Sequence, residues 1–312
     1  MRVLFFGTSP FAVPTLQALH EAAPRHTIIG VVTQPDRPSG RGQKTHASPV
    51  KEMALALGYS VHQPERVRRK PFPATVAELA PDVLVVVSFG QIIPQALLDL
   101  PRWGGVNVHA SLLPRWRGAA PIHHAILAGD AETGVATMRM EATLDTGPTF
   151  LVAREPIRPD DTTGTLEPRL AQLGAPLLIE TLDRLEAGDI SAATQDEAGV
   201  TLAPPVLREI GFLDPLTEDA AALDRRIRAM TPRPGAFVQI GDRLLKVLEA
   251  APQEGDAAPG TVAAVRKNGL ALGTTRGLLV LRRVQPEGRA PMSAADYARG
   301  ARLTPGTPAV RP

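Results

Sequence analysis

Apolar residues fall in short blocks through the first two thirds of the chain and change their spacing in the last third. Residues 3–6 form an unbroken apolar run closed by Gly7, and residues 11–19 carry apolar positions at helical spacing, so the chain is predicted to open as strand, turn and helix. Residues 28–32 predict a second buried strand, and residues 83–87, a continuous run of valine and leucine, a third. Residues 106–108 and 135–138 supply two more. Helical spacing returns at residues 50–57 and again at 165–187, where Gly188 ends the pattern. Residues 34–49 interrupt this order with three prolines, two glycines and five charged or imidazole side chains, the composition of an exposed loop. Strands that alternate with helices and are apolar throughout need cover on both faces, which points to a mostly parallel α/β sheet flanked by helices.

The last third reads differently. Pro204, Pro205 and Pro215 bracket a weakly patterned stretch at residues 199–215 with the character of a linker. A capped helix with three arginines follows at residues 219–230. From Gly235 onward short alternating strands dominate, at residues 237–240, 244–248, 261–265, 270–272 and 278–284, and Asn268-Gly269 marks a hairpin between two of them. So many short strands close most naturally into a small antiparallel barrel. Residues 304–312 read as a frayed end. The expected division is a domain at residues 1–188, a linking segment at 189–206 and a barrel domain at 207–312.

A length of 312 residues agrees with two domains on the usual size of about 150 residues each. The 44% apolar and 21% charged content excludes a dominant disordered or fibrous region. The chain has no cysteine, which removes disulfides, thiolate metal sites and a cysteine nucleophile. Only four apolar residues stand between Arg2 and Gly7, too few for a secretory leader, and no run approaches the ~20 apolar residues of a membrane span, so a cytoplasmic protein without membrane attachment is expected. Charge divides unevenly: residues 1–204 hold 18 basic against 21 acidic side chains, whereas residues 205–312 hold 16 against 11. The net charges, −3 and +5, suggest a polyanion on the carboxyl-terminal half; a merely solvated arginine-rich surface is the plainer reading of charge alone.

Candidate chemistry centres on an anomaly in one strand. Asparagine occurs twice in the chain; Asn268 is accounted for by its turn, but Asn107 lies inside an apolar strand, where its amide must find partners. His109 follows two residues on, so both side chains share one face near the strand's carboxyl end, where open parallel sheets bind ligands. An amide donor can hold a carbonyl oxygen as it becomes an oxyanion, and an imidazole can take the proton an attacking amine sheds. Asp145, in Leu144-Asp145-Thr146-Gly147, is the carboxylate best placed by position to orient that imidazole. The first turn, Gly7-Thr8-Ser9-Pro10, lacks the spacing of a dinucleotide turn, and no phosphate loop appears. His123 and His124 are adjacent and point about 100° apart on a helix, a poor geometry for a shared metal, so no metal is expected.

The run from His109 through Ala110-Ser111-Leu112-Leu113-Pro114-Arg115-Trp116-Arg117-Gly118-Ala119-Ala120-Pro121-Ile122 resembles the signature of the methionyl-tRNA formyltransferases almost letter for letter. The resemblance extends to Phe6-Gly7-Thr8, Asp36-Arg37-Pro38, Gly40-Arg41-Gly42, Gly90-Gln91-Ile92-Ile93-Pro94, Leu144-Asp145-Thr146-Gly147, Ile227-Arg228-Ala229 with Pro232, and Gln285-Pro286-Glu287-Gly288 with Met292-Ser293. It implies a Rossmann-like formyltransferase domain joined to an OB-like carboxyl-terminal barrel that binds tRNA. It further implies transfer of a formyl group from the co-substrate 10-formyltetrahydrofolate to the amino group of methionyl initiator tRNA. The matched Asn107, His109 and Asp145 are then the catalytic set, and Ser111, Leu112, Leu113 and Pro114 lie against the folate. Arg37, Arg41 and Lys44 lie in a loop that enters the tRNA acceptor end, with Arg225, Arg226 and Arg228 as backbone contacts. No obligate protein partner is implied.

Thr143 stands where that family commonly has glycine, Ser88-Phe89 replaces a more usual Ala-Tyr, and basic residues usual around residues 201–205 are missing. The rival readings are a hydrolase releasing formate from formyltetrahydrofolate, a formyltransferase for a small amine such as a sugar amine, and a tRNA-binding factor without catalysis. The intact Asn107, His109 and Asp145 argue against the last. The cationic barrel and the Arg41 loop have no use in the other two.

Overall fold

The computed structural model describes residues 1–39 and 44–312, which divide into two compact units. The first comprises Met1–Pro121, Glu132–Pro156 and Glu167–Ala203; the second comprises Ile122–Ala131, Ile157–Leu166 and Pro204–Pro312.

The first unit is built on a seven-stranded sheet. Its order is Thr149–Pro156, Glu132–Arg139, Gly105–His109, Val83–Val87, Arg2–Gly7, Thr27–Val32 and Val61–His62. The last five strands run parallel, as their unbroken apolar character predicts, and the first two form an antiparallel edge. Val83–Val87 is buried at every position because it has a strand on each side and cover on both faces. One face packs Phe6 edge-on against Phe72 and Phe89, with Val67, Val76, Ile93 and Leu97 completing a sealed cluster.

Several elements of this unit were not foreseen, three strands among them. The edge strand Thr149–Pro156 alternates partly buried with exposed residues, so it lacks the continuous apolar signal of its neighbours. The polar stretch expected as a plain loop contains two short strands, Arg37–Ser39 and Lys44–His46, paired antiparallel with Arg37 opposite His46.

In the second unit the strands run in the order Val262–Arg266, Gly269–Gly273, Leu278–Pro286, Arg243–Gln253, Ala236–Ile240 and Ala309–Val310, with Met292–Ser293 on the side of Leu278–Pro286. The hairpin expected at Asn268-Gly269 is present, with Arg266 opposite Gly269. The end expected to fray does not. Ala309 is fully buried, Gln239 and Ile240 pair with Val310 and Ala309, and the Thr261–Pro308 bridge joins the two outer strands. Short-range composition misled here because those residues are held by a strand about seventy positions earlier, not by local pattern. The barrel therefore closes, and closure leaves it no free edge. The arginine-rich helix runs Ala220–Met230, capped by Asp219 accepting from the Ala222 N–H at 2.7 Å. Among the described residues no helix is long and apolar enough to cross a membrane.

Candidate active site

Asn107 and His109 stand on Gly105–His109 beside the carboxyl ends of the parallel strands. Val108 between them faces the long helix Thr163–Ala187, where a Cβ on Gly174 would lie 2.9 Å from Val108 Cγ1 and 3.2 Å from Val135 Cγ1. Strand alternation therefore turns Asn107 and His109 together to the opposite face. Asn107 is half-buried, and among the described residues its amide has no hydrogen-bond partner. A half-buried amide with free donors is poised for a ligand oxygen.

His109 is 6% exposed, and its Nε2 lies 2.9 Å from the Trp116 carbonyl oxygen. That oxygen can only accept, so Nε2 carries the hydrogen and the neutral ring keeps its lone pair on Nδ1. Nδ1 faces Asp145 Oδ2 at 3.7 Å. This is too long for a hydrogen bond but close enough for a carboxylate to stabilise an imidazolium once Nδ1 takes a proton.

The Asp145 turn is held from several directions. Asp145 has φ 54°, a left-handed conformation that a non-glycine residue keeps only when its surroundings impose it. Its Oδ2 accepts from the Gly118 N–H at 2.9 Å. The backbone carbonyls of Asp145 and Gly147 both accept from Gln195 Nε2, at 2.8 and 2.7 Å. Gly147 lies so close to the neighbouring strand that a Cβ would sit 1.9 Å from the Arg139 carbonyl oxygen. Thr143, the departure from the expected glycine, is exposed and bonds Thr146 through its hydroxyl, which fits it into the turn without positive φ.

The run after His109 shapes a turn in front of the sheet. Ser111 is fully buried and donates from Oγ to the Arg115 carbonyl at 2.6 Å, so its hydroxyl is already engaged. Leu112 packs over Gly134, while Leu113 and Pro114 are half-buried. Arg117 is 6% exposed; its Nε donates to Gln195 Oε1 at 3.0 Å, and its terminal nitrogen pairs with Glu197 at 2.8 Å. Gln195 lies in the stretch expected to be a linker, and nothing in its local sequence marks it. Its importance comes only from what the fold brings against it.

Of the residues expected to meet tRNA, Arg37 is exposed at the start of the short hairpin, and Lys44 stands opposite Ser39 in its register. Arg41 lies outside the described residues. The hairpin's root is fixed: Asp36 accepts from Lys51 Nζ and, at 2.7 Å, from Gln63 Nε2, contacts that hold its carboxyl below the usual carboxylate range. The three helix arginines have partners within the protein. Arg225 donates to the Leu127 carbonyl at 3.3 Å, Arg226 to the Ile210 carbonyl at 2.7 Å while pairing with Glu218, and Arg228 to Asp224 at 2.8 Å and the Asp161 carbonyl at 3.1 Å. Each guanidinium is thus engaged within the second unit. His123 and His124 turn to different carbonyls, of Arg233 and Pro204, and among the described residues no group of three metal-ligating side chains forms.

Comparison with known proteins bears on this geometry. Residues 1–182 match the family described as formyl transferase, and residues 208–302 match the formyl transferase C-terminal domain. A methionyl-tRNA formyltransferase of Myxococcus xanthus is 47% identical over 306 residues, 98% of this chain and 97% of the relative. One from Thermus thermophilus is 47% identical over 307 residues, 98% of each chain. Among solved structures, a sugar 3N-formyl transferase, WlaRD, matches with a TM-score of 0.67 at 16% identity, covering 93% of this chain and 99% of that one. HypX from Aquifex aeolicus in complex with tetrahydrofolic acid matches with a TM-score of 0.61 at 18% identity, covering 96% of this chain and 47% of that one. At such identities the two structures establish the shared fold.

Proposed function

Since the chain belongs to the formyltransferase family, with both its amino- and carboxyl-terminal parts, we propose that it transfers the formyl group of 10-formyltetrahydrofolate to the amino group of methionyl initiator tRNA. Relatives of that activity align over nearly the whole chain at 47% identity, whereas the sugar formyltransferase shares the fold at 16%. This favours a tRNA acceptor over a small amine. It favours transfer over release of formate as well, because the relatives also match across the barrel, which a hydrolase has no need of. A cytoplasmic setting, where translation takes place, goes with the reading.

In this reading residues 1–188 are the catalytic domain, 189–206 the connecting segment and 207–312 the barrel that holds tRNA. The Asn107 amide donates to the formyl oxygen as the amine adds to the formyl carbon and negative charge collects on that oxygen. His109 accepts the ammonium proton at Nδ1, the nitrogen its bond to Trp116 leaves free, and the Asp145 carboxylate stabilises the resulting imidazolium. The tetrahedral centre then collapses, the C–N bond to the folate nitrogen breaks, and that nitrogen leaves with the proton that His109 had taken up, which returns the imidazole to its neutral form. Ser111, Leu112, Leu113 and Pro114 shape the folate side of the site. Arg37, Arg41 and Lys44 are assigned to the acceptor end of the tRNA, since cations follow phosphates.

The observation that carries this reading is the convergence of Asn107, His109 and Asp145, from two distant segments, around one face of the sheet's carboxyl end. The test is His109→Ala, assayed for formyl transfer and separately for tRNA binding. Transfer should be abolished with binding within about twofold of the parent, since the ring contributes to proton transfer and not to affinity. A fall in binding that matches the fall in rate contradicts the assigned role.

A further inference from the structure

The segment after the long helix does more than connect. Ala193 exchanges two backbone hydrogen bonds with Thr149, at 2.9 and 2.7 Å, and so runs alongside the Asp145–Gly147 turn. Two residues on, Gln195 is 6% exposed and its amide is fully engaged. Nε2 donates to the carbonyls of Asp145 and Gly147, and Oε1 accepts from Arg117 Nε. An amide can be flipped end for end, but here the orientation is fixed chemically: the guanidinium only donates and the carbonyls only accept. Farther along, Leu202–Ala203 pairs with Arg117–Gly118, the strand whose Gly118 N–H holds the Asp145 carboxylate.

We propose that Gln195 is a positioning residue for Asp145, acting as a clamp that holds the turn in its left-handed conformation and the carboxylate opposite His109 Nδ1. The inference rests on the catalytic reading of His109 and Asp145. Asp145 calls for such a clamp because its φ of 54° lies in the sparsely populated left-handed region, and its 3.7 Å approach to His109 has no hydrogen bond to enforce it. Gly118 fixes the carboxylate end of the residue; Gln195 fixes the backbone end. Arg117 sets the direction of the Gln195 amide and is itself balanced by Glu197 at the surface. The clamp therefore runs from an exposed glutamate through a buried guanidinium and an amide to the turn that carries the catalytic carboxylate.

The test is a double-mutant cycle between Gln195→Glu and Asp145→Asn in the full chain, read as kcat and KM for charged initiator tRNA and formyl donor. Gln195→Glu keeps the size of the side chain and an acceptor for Arg117 while removing the donor to both carbonyls; Gln195→Leu serves as a second variant, and thermal unfolding confirms that each is folded. Gln195→Glu should lower kcat about tenfold or more with KM nearly unchanged, the scale of loss expected from displacing a reacting group by a fraction of an ångström. In the Asp145→Asn background it should cause little further loss, because its effect passes through that carboxylate. Full kcat in a folded variant, or losses that multiply in the double mutant, overturns the clamp. Full kcat in Asp145→Asn itself overturns instead the catalytic reading on which the clamp rests.

Discussion

Replacing Asp145 by asparagine removes a charge while leaving an oxygen to accept from the Gly118 N–H, so the turn keeps its main anchor. What is lost is the attraction between the carboxylate and His109 once Nδ1 has taken the amine proton. At the 3.7 Å separation two unit charges attract by about 4 kcal/mol at an effective dielectric constant of about 20, a value suited to partly buried pairs. The imidazole bears only part of its charge at the transition state, so roughly half of that is a fair lower figure. The range of about 2 to 4 kcal/mol corresponds to a fall in kcat of about 30- to 1000-fold. Formyl transfer measured with both substrates saturating reads this loss, and a filter-binding titration with charged initiator tRNA reads affinity separately. Affinity should stay within about twofold, since the carboxylate is assigned no contact with tRNA. A kcat within about threefold of the parent refutes the coupling, as does an affinity that falls in step with the rate.

Asn107→Ala should cost about 100-fold in kcat, the usual loss of one oxyanion donor, with tRNA affinity preserved; a purely KM effect rules that assignment out. Gly147→Ala drives a Cβ against the Arg139 carbonyl, a backbone atom that cannot step aside, and should destabilise by about 3 kcal/mol or more, seen as a lowered midpoint in urea. Arg41→Ala should raise KM for tRNA about tenfold and weaken its salt dependence while leaving use of the formyl donor unchanged; equal loss for both substrates removes the loop from the acceptor site. His26 is fully buried, and burial holds its pKa below the ordinary 6.5 despite the Asp183 carboxylate 3.0 Å away. The unfolded chain therefore binds the proton first, and stability is present above pH 6.5 and lost as pH falls toward the folded value. Unfolding midpoints from about pH 7.5 to 5.5 should decline more steeply in the parent than in His26→Gln, and parallel slopes disprove the linkage.

How much of this was legible in the sequence depends on how local each signal is. The strands at residues 28–32 and 83–87 announce themselves because both faces are covered, which forces every position to be apolar. Asn107 and His109 were visible for the opposite reason, as polar side chains in such a strand. Thr149–Pro156 was missed because an edge strand beside solvent needs no continuous apolar run. Ala309–Val310 was missed because two residues carry no period, and their partners, Gln239 and Ile240, are distant in sequence. Arg225, Arg226 and Arg228 read as free cations, since sequence shows a charge but not the carbonyl or carboxylate that meets it. Gln195 left no trace at all: its role lies in two carbonyls about fifty positions earlier, and a backbone carbonyl has no letter of its own.

The decisive measurement is formyl transfer from 10-formyltetrahydrofolate to the amino group of charged methionyl initiator tRNA, followed beside formate release with the tRNA left out. Rapid formation of formylmethionyl-tRNA, with formate release slower by several orders of magnitude and both abolished in His109→Ala, is the predicted result. Formate release that proceeds equally fast without tRNA, or transfer that survives in His109→Ala, contradicts the assignment.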